Sequence, residues 1–195
     1  MIAIVDYGVG NIRSVVNALN RAGVAEPVLT ADRGVLSKAE KVVLPGVGDA
    51  SCAMEALRKC GLAEFIPTLT QPVLGICVGL QLMCRRSEEG DVKCMGIFDT
   101  DVVRFQPAEG LKIPHMGWNS ISDLKTGLFK GLKENSYVYY VHSYYPQLCD
   151  DTIATTRHGV DFSGALAKDN FFGTQFHPEK SGEVGALIIK NFLEL

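Results

Sequence analysis

The sequence predicts an α/β fold, with a mostly parallel central sheet flanked by helices and with antiparallel additions. In the first half of the chain, short β-branched runs alternate with helical patterns, which is typical of parallel strands joined by helices. The second half is richer in strand patterns separated by turn signals, which indicates the antiparallel additions. The 195 residues contain no linker-like stretch and no internal repeat, so we expect a single domain over residues 1–195.

The first half predicts four strands and three helices. Each strand is a short β-branched or apolar run, as expected where both faces of a sheet are covered. The predicted strands are residues 2–5, 28–30, 42–44 and 73–76. Each helix repeats apolar residues every three or four positions. The predicted helices are residues 11–22, 50–59 and about 78–86. Because parallel strands end at one edge of the sheet, we expect ligand-binding residues to collect there.

The second half predicts five strands and a closing helix. The strands are residues 102–105, 137–142, 152–156, 164–167 and 171–176. Residues 181–193 form an amphipathic pattern that predicts a helix with its apolar side facing inward. Residues 88–91 and 122–126 are predicted to be loops. Residues 137–145 include five tyrosines, which suit a pocket, a partner surface or a half-buried strand.

Charge and hydropathy exclude two classes of partner. The chain has 19 Lys and Arg residues against 22 Asp and Glu residues, which gives a formal net charge of −3. The basic residues are scattered, unlike the footprint of a nucleic-acid or anionic-membrane site. The most apolar stretch, residues 72–84, is shorter than the ~20 residues of a membrane span. We therefore expect no nucleic acid and no membrane among the partners.

The cysteines indicate the expected compartment. The six cysteines show no C-x-x-C spacing, and no basic segment precedes the first strand. Neither a disulfide framework nor a secretory leader is therefore expected, and we expect a cytoplasmic location. There, most thiols other than Cys77 are expected to be small buried apolar groups.

The strongest local motif is Gly-Ile-Cys-Val-Gly at residues 75–79. It matches the G-x-nucleophile-x-G elbow, with cysteine in place of serine. The elbow needs glycine on both sides, because a sharp turn from a strand into a helix crowds the backbone. At the N-terminus of that helix, unpaired N–H groups favour a thiolate at Cys77, and the N–H of Val78 would face a developing oxyanion. Alone, the motif is equally compatible with a buried structural cysteine.

A second motif, Phe-His-Pro-Glu at residues 176–179, follows an apolar strand pattern. A thiolate nucleophile needs a base, and the base needs an acceptor that orients it. Pro178 restricts His177 to extended geometry, from which Glu179 can reach one imidazole nitrogen while the other faces a thiol. Read alone, His177 is more often a structural histidine. Combined with Cys77, the motif predicts a Cys-His-Glu triad.

A third motif, Leu-Pro-Gly-Val-Gly at residues 44–48, ends the third predicted strand. Acyl-transfer enzymes need two N–H donors for the tetrahedral oxyanion, commonly the residue after the nucleophile and a neighbouring loop. Gly48 or Val47 is placed to supply the second donor. Without the cysteine elbow, an ordinary Pro-Gly turn is the better interpretation.

Cofactor and metal motifs are weak. Gly8 and Gly10 begin a G-x-G pattern, but Arg13 stands where the third glycine of a dinucleotide fingerprint belongs. A glycine-rich turn with Asn11 capping the first helix explains that segment. The four histidines show no metal-ligand spacing. We expect no cofactor and no metal.

The chain resembles the class I glutamine amidotransferases over its whole length. The resemblance rests on DYGVGN at residues 6–11, LPGVG at 44–48, GICVG at 75–79, HMGWN at 115–119, VHSY at 141–144 and HPEKS at 177–181. Within the class, it is most similar to the glutaminase subunits of imidazole glycerol phosphate synthases, which serve histidine biosynthesis. This implies a flavodoxin-like fold and a Cys-His-Glu glutaminase without a cofactor. Val78 and Leu80 depart from the Leu and Met common in that subfamily, but the oxyanion donor at Val78 is a backbone group.

The resemblance also implies a role for each matching residue. Cys77 would be the nucleophile, His177 the general base and acid, and Glu179 the residue that orients it. Backbone N–H groups of Gly48 and Val78 would form the oxyanion hole. The residues that would bind the two ends of glutamine are Gln81, Ser143 and Tyr144. The residues that would face the partner and the ammonia path are Asn11, Trp118 and Lys180.

The implied partner is the synthase (cyclase) subunit, a (βα)8 barrel, in an expected 1:1 heterodimer. Ammonia released from L-glutamine would pass to that subunit, which makes imidazole glycerol phosphate. Two alternatives stay open. A stand-alone Cys-His hydrolase, such as a γ-glutamyl hydrolase or a cysteine peptidase, would act without a partner. A non-catalytic interaction domain would leave Cys77 no more reactive than Cys52 or Cys149.

Overall fold

The computed structural model describes residues 1–195. Thirteen strands are present: Ile2–Val5 (β1), Val28–Thr30 (β2), Lys41–Gly46 (β3), Val73–Cys77 (β4), Arg86–Ser87 (β5), Val92–Lys93 (β6), Asp101–Arg104 (β7), His115–Ile121 (β8), Ser136–His142 (β9), Tyr144–Pro146 (β10), Thr152–His158 (β11), Val160–Lys168 (β12) and Phe171–Thr174 (β13). Five α-helices are present: Ile12–Arg21 (α1), Arg33–Lys38 (α2), Ala50–Lys59 (α3), Val78–Met83 (α4) and Gly182–Glu194 (α5). Three short 3₁₀ turns cover Ile66–Thr68, Gly127–Phe129 and Pro178–Lys180.

A seven-stranded sheet forms the centre of the molecule. Its strand order is β11-β12-β13-β4-β3-β1-β2. The five strands from β13 to β2 run parallel, whereas β12 pairs antiparallel with β13 and β11 pairs antiparallel with β12. The predicted fold class, a mostly parallel sheet with antiparallel additions, is confirmed.

The apolar core lies against the central sheet, and burial in this core stabilises the strands that the sequence predicts. β1 and β4 are buried along their entire length, as expected of parallel strands covered on both faces. Fifty buried apolar residues form one connected cluster. A four-stranded sheet of order β10-β7-β5-β6 and a β8–β9 ribbon pack outside it. None of the helices has the length and hydropathy needed to cross a bilayer.

The predicted helix over residues 78–86 is wrong at its C-terminal end. The helix stops at Met83, and Cys84 adopts extended geometry. Arg86 pairs with Lys93 of β6 and with Asp101 of β7. Strand pairing over these residues therefore outweighs their local helical preference, a tertiary effect that periodicity cannot reveal.

Two further expectations need correction. Of the five thiols other than Cys77, only Cys84 and Cys94 are buried, whereas Cys52 and Cys60 are exposed, because these two lie on or next to the outer side of α3. Asn11 does precede α1, but its side chain makes no capping hydrogen bond. Helix α2 and strands β5, β6, β8 and β10 were not predicted from the sequence. In α2 the Asp32 carboxylate caps the helix by accepting from the Val35 N–H at 2.9 Å.

Candidate active site

Three neighbouring parallel strands end at the same edge of the central sheet. β4 lies between β3 and β13, with Gly46 opposite Cys77 and Thr174 opposite Ile76. The segments that follow β3, β4 and β13 therefore emerge side by side. These are the segments that carry the three sequence motifs, so the topology brings the motifs together.

Cys77 occupies a strained turn between β4 and α4. Its backbone has φ 55° and ψ −111°, a conformation that a non-glycine residue rarely adopts. A Cβ on Gly79 would collide with the carbonyl oxygen of Leu44, and a Cβ on Gly75 would lie 2.8 Å from the Leu80 nitrogen. Both glycines are thus required for the close approach of β3, β4 and α4, as the elbow motif predicts.

His177 and Glu179 form a buried pair beside Cys77. The Nδ1 of His177 lies 2.8 Å from Oε1 of Glu179, and the side chains are 3% and 1% exposed. Burial lowers the pKa of His177, but hydrogen bonds to Cys77 and Glu179 outweigh it and raise the pKa to about 9. The second carboxylate oxygen of Glu179 has no partner, so its hydrogen bonding is directed to the imidazole.

The β9 strand holds the histidine segment in place. The backbone N–H of His177 donates to the Tyr139 carbonyl at 2.9 Å. The Ser181 hydroxyl donates to the His177 carbonyl at 2.6 Å and accepts from the Tyr139 N–H at 3.0 Å. These three bonds fix the backbone on which the imidazole stands.

The C-terminal end of β3 is anchored from the segment that follows β1. The Tyr7 hydroxyl donates to the Pro45 carbonyl at 2.7 Å. Burial raises the pKa of Tyr7 above its ordinary value, so the phenol retains the proton that this bond requires. Val47 and Gly48 follow and face the same cavity as Cys77.

A cavity of about 200 Å³ lies at this edge of the sheet. It is at the small end of ligand pockets, which suits one amino acid better than a polymer. Eight of the site residues predicted from the sequence line this cavity: Cys77, His177, Gly48, Val78, Gln81, Ser143, Tyr144 and Lys180. Glu179 lies behind His177 and does not line the cavity.

Sequence reasoning missed two polar groups, one that lines the cavity and one that is buried beside Cys77. Glu89, in a segment predicted only as a loop, lines it, and its carboxylate accepts from the Ala50 N–H at 2.9 Å. Burial raises the pKa of Glu89. Gln175 follows β13, and its amide nitrogen lies 3.6 Å from the Cys77 sulfur. No motif identifies Glu89, but Gln175 is a polar residue directly before the Phe-His-Pro-Glu motif.

A cluster of three histidines lies next to the cavity. The Nδ1 of His115 lies 2.9 Å from Nε2 of His142, and the His115 and His158 rings stack with centroids 4.0 Å apart. Nδ1 of His142 lies 2.8 Å from the Tyr144 carbonyl oxygen. Burial lowers the pKa of His142 to about 3 and that of His115 to about 4. No group of three His, Cys, Asp or Glu side chains is arranged to hold a metal ion.

The residues predicted to face a partner lie outside the cavity or at its rim. Trp118 is 56% exposed on β8, with its ring 6.0 Å from that of Tyr139. The ammonium group of Lys180 lies over the same Tyr139 ring, 5.9 Å from its centroid. Asn11 precedes α1 and is partly exposed. Exposed aromatic groups of this kind are typical of interaction surfaces.

Comparison with known families gives one match over nearly the whole chain. Residues 3–195 match the model of the glutamine amidotransferase class-I family. The structure of PurLQS from Thermotoga maritima superposes with a TM-score of 0.74 at 21% identity, covering 99% of this chain and 97% of that one. At that identity the likeness concerns the fold alone.

Curated relatives are considerably more similar. The chain is 58% identical to imidazole glycerol phosphate synthase subunit HisH of Bacteroides fragilis (strain YCH46), over 100% of this chain and 99% of that protein. It is 54% identical to the protein of the same name from Bacteroides thetaiotaomicron, with the same coverage. These relatives therefore align with the chain from end to end.

Proposed function

We propose that this chain, which belongs to the class I glutamine amidotransferase family, hydrolyses glutamine by means of Cys77, His177 and Glu179. The proposal rests on one observation: Cys77 and His177 line the same small cavity, with Glu179 hydrogen bonded behind the imidazole. The function is that of the glutaminase subunit of imidazole glycerol phosphate synthase in histidine biosynthesis, which the curated relatives support.

In the first step, the Cys77 thiolate attacks the side-chain amide carbon of glutamine. The C–N bond of the tetrahedral intermediate then breaks, and His177 gives its proton to the departing ammonia. The raised pKa of His177, about 9, suits an imidazolium that is loaded with this proton at neutral pH. Glu179 holds Nδ1 and so directs Nε2 to the reacting atoms.

In the second step, water attacks the resulting thioester. The now neutral His177 takes a proton from that water, the C–S bond breaks, and glutamate leaves. Backbone N–H groups of Val78 and Gly48 would stabilise the oxyanion in both steps, since both residues line the cavity beside Cys77. Loss of one such donor typically costs about 10²–10³ in rate.

The far end of the cavity suits the amino-acid end of the substrate. The Oε1 atom of Gln81 is buried and has no hydrogen-bond partner, and it would accept from the substrate ammonium. Glu89 lines the same cavity and would pair with that charge. Ser143 and Tyr144 line the same cavity and would hold the carboxylate.

The relatives are named as subunits, which implies that a partner subunit completes the enzyme. We propose a 1:1 pairing with the (βα)8 synthase subunit, to which ammonia would pass. The surface around Trp118, Lys180 and Asn11 would face that partner. Exposure of Trp118 beside Tyr139, close to the cavity rim, supports this orientation.

The test is glutamate release from glutamine by the purified chain, first alone, then with the synthase subunit and an analogue of its nucleotide substrate. We expect little release alone and a large increase with the loaded partner. Cys77→Ala should reduce the coupled rate by about 10⁴-fold or more, whereas Cys52→Ala, an exposed cysteine, should leave it unchanged. Full activity without a partner would assign the stand-alone hydrolase instead. No release under any condition, with the chain folded, would contradict the proposal.

A further inference from the structure

Gln175 is a buried polar residue at the centre of the site that none of the proposed steps uses. It follows β13 directly, at the level where Cys77 ends the neighbouring β4. Its side chain is fully buried, and a buried amide must find partners inside the protein. It finds two. Its Nε2 lies 3.6 Å from the Cys77 sulfur, and its Oε1 lies 3.0 Å from Nε2 of Gln81.

The direction of these hydrogen bonds is fixed by a backbone carbonyl. The carbonyl oxygen of Tyr144 can only accept, so Gln81 must present its NH₂ group there, at 3.0 Å. The second N–H of that group then points to Gln175, which must present its oxygen. Consequently the NH₂ group of Gln175 faces Cys77, and an amide flip would break the chain of bonds at both ends.

An N–H donor at this position stabilises the thiolate form of Cys77 more than the thiol form. A hydrogen bond from a neutral amide is stronger to a charged sulfur than to a neutral thiol. The helix that follows Cys77 is only six residues long, so its dipole is small. A fixed, fully buried donor from the end of β13 supplements it.

We propose that Gln175 is a further catalytic residue, whose side-chain amide donates to the Cys77 sulfur and stabilises the thiolate, in an orientation set by Gln81. The inference rests on the proposed function, because it takes Cys77 as the nucleophile. It also gives Gln81 a second task. Gln81 lines the substrate cavity, and its NH₂ group orients Gln175.

The experiment measures alkylation of Cys77 by iodoacetamide as a function of pH, with peptide mass spectrometry that follows Cys77 separately from the other five cysteines. The variants are Gln175→Met, which keeps the length of the side chain without a donor, and Gln175→Glu, which keeps the oxygen facing Gln81. The matched control is Thr174→Val. Thr174 is the preceding residue, equally buried, and its hydroxyl has no partner.

We expect the pH midpoint of alkylation to rise by about one unit in Gln175→Met, a tenfold loss of thiolate at a given pH. In Gln175→Glu the rise should be at least as large, and Thr174→Val should match the wild type. A merely structural role would lower the thermal unfolding midpoint and leave the alkylation midpoint unchanged. That result, in whichever Gln175 variant folds, would overturn the inference.

Failure of the inference and failure of the proposed function give different results. If the wild-type chain with its partner hydrolyses glutamine but both Gln175 variants keep the wild-type alkylation midpoint, only the inference is wrong. If the midpoint rises as expected but the wild-type chain releases no glutamate with the loaded partner, the proposed function is wrong while the donor to the sulfur stands.

Discussion

The buried histidines in and beside the cavity differ in their proton affinity. His177 is 2% exposed, and His115 and His142 are 5% and 6% exposed, so burial alone does not separate them. Yet the pKa of His177 is raised to about 9, whereas those of His115 and His142 fall to about 4 and 3. The difference lies in the partners. His177 faces a carboxylate and a thiol, whereas the other two face each other and uncharged hydrogen-bond partners.

The neutral histidines form a directed chain with one consistent set of tautomers. The Tyr144 carbonyl can only accept, so Nδ1 of His142 carries the proton. Its Nε2 then accepts from Nδ1 of His115, and Nε2 of His115 accepts from the Asn119 amide at 3.1 Å. Each ring donates once and accepts once. We infer that this cluster positions the Tyr144 backbone, whereas the raised pKa of His177 suits its proposed exchange of a proton.

The largest effect is expected when His177 loses the carboxylate that it is hydrogen bonded to. Glu179→Gln removes the carboxylate that helps to raise the pKa of His177, so its midpoint should fall by a unit or more. Glutamine hydrolysis with the loaded partner should fall by about 10²–10⁴-fold, because the imidazole loses its orientation and charge partner. Steady-state kinetics measures this, with exposed Glu183→Gln on α5 as the control. An unchanged rate would remove Glu179 from the triad.

The same substitution changes how stability depends on pH. A histidine whose pKa is raised from 6.5 to about 9 stabilises the folded state fully below pH 6.5, and that contribution disappears as the pH rises toward 9. The free energy of unfolding of Glu179→Gln, from urea titrations, should therefore fall less steeply than that of the wild type between pH 6.5 and 9.

An intermediate effect is expected from the histidine cluster, with the opposite dependence on pH. His115→Phe leaves Nε2 of His142 without a donor, which should lower the free energy of unfolding by about 1–3 kcal/mol at pH 7. Since the pKa of His115 is lowered to about 4, its neutral form stabilises the fold above pH 6.5, and this contribution is lost as the pH falls toward 4. The acid side of the stability curve should be shallower in the variant. An unchanged acid slope would show that His115 is not buried as a neutral group.

The smallest effect on stability is expected on the outer side of the same ribbon. Trp118 lies on β8 with His115 but is 56% exposed. Trp118→Ala should change the free energy of unfolding of the isolated chain by less than about 0.5 kcal/mol, at every pH. If this surface faces the partner, affinity for the synthase subunit, measured by calorimetry, should fall at least tenfold. A large loss of stability would place Trp118 in the core of the ribbon instead.

Much of the central sheet could be predicted from the sequence because its signals are local. β1, β2 and α3 have the predicted bounds, since continuous apolar runs and helical periodicity depend on few neighbours. The elbow and the His-Pro-Glu segment follow strands that the sequence also predicts. Their convergence needs only the rule that parallel strands end at one edge.

The remaining features depend on contacts between segments distant in sequence. Helix α4 stops early because Arg86 joins another sheet. β8 carries Gly117 and Asn119, which are poor strand formers, and it pairs with β9 along its whole length. Gln175 reaches Cys77 across 98 residues, and Glu89 enters the cavity from a loop. No local pattern encodes these placements.

Titration of the four histidine side chains by NMR is the most direct test, because it measures both regions in one experiment. Resonances of the 13C-labelled imidazoles would be assigned with single histidine variants and followed from pH 3 to pH 10. We predict that His177 titrates near pH 9 and that His115 and His142 stay neutral down to about pH 4 and pH 3. A His177 midpoint at or below its ordinary value of 6.5 would contradict the claim that Cys77 and Glu179 hold an imidazolium ready to protonate ammonia.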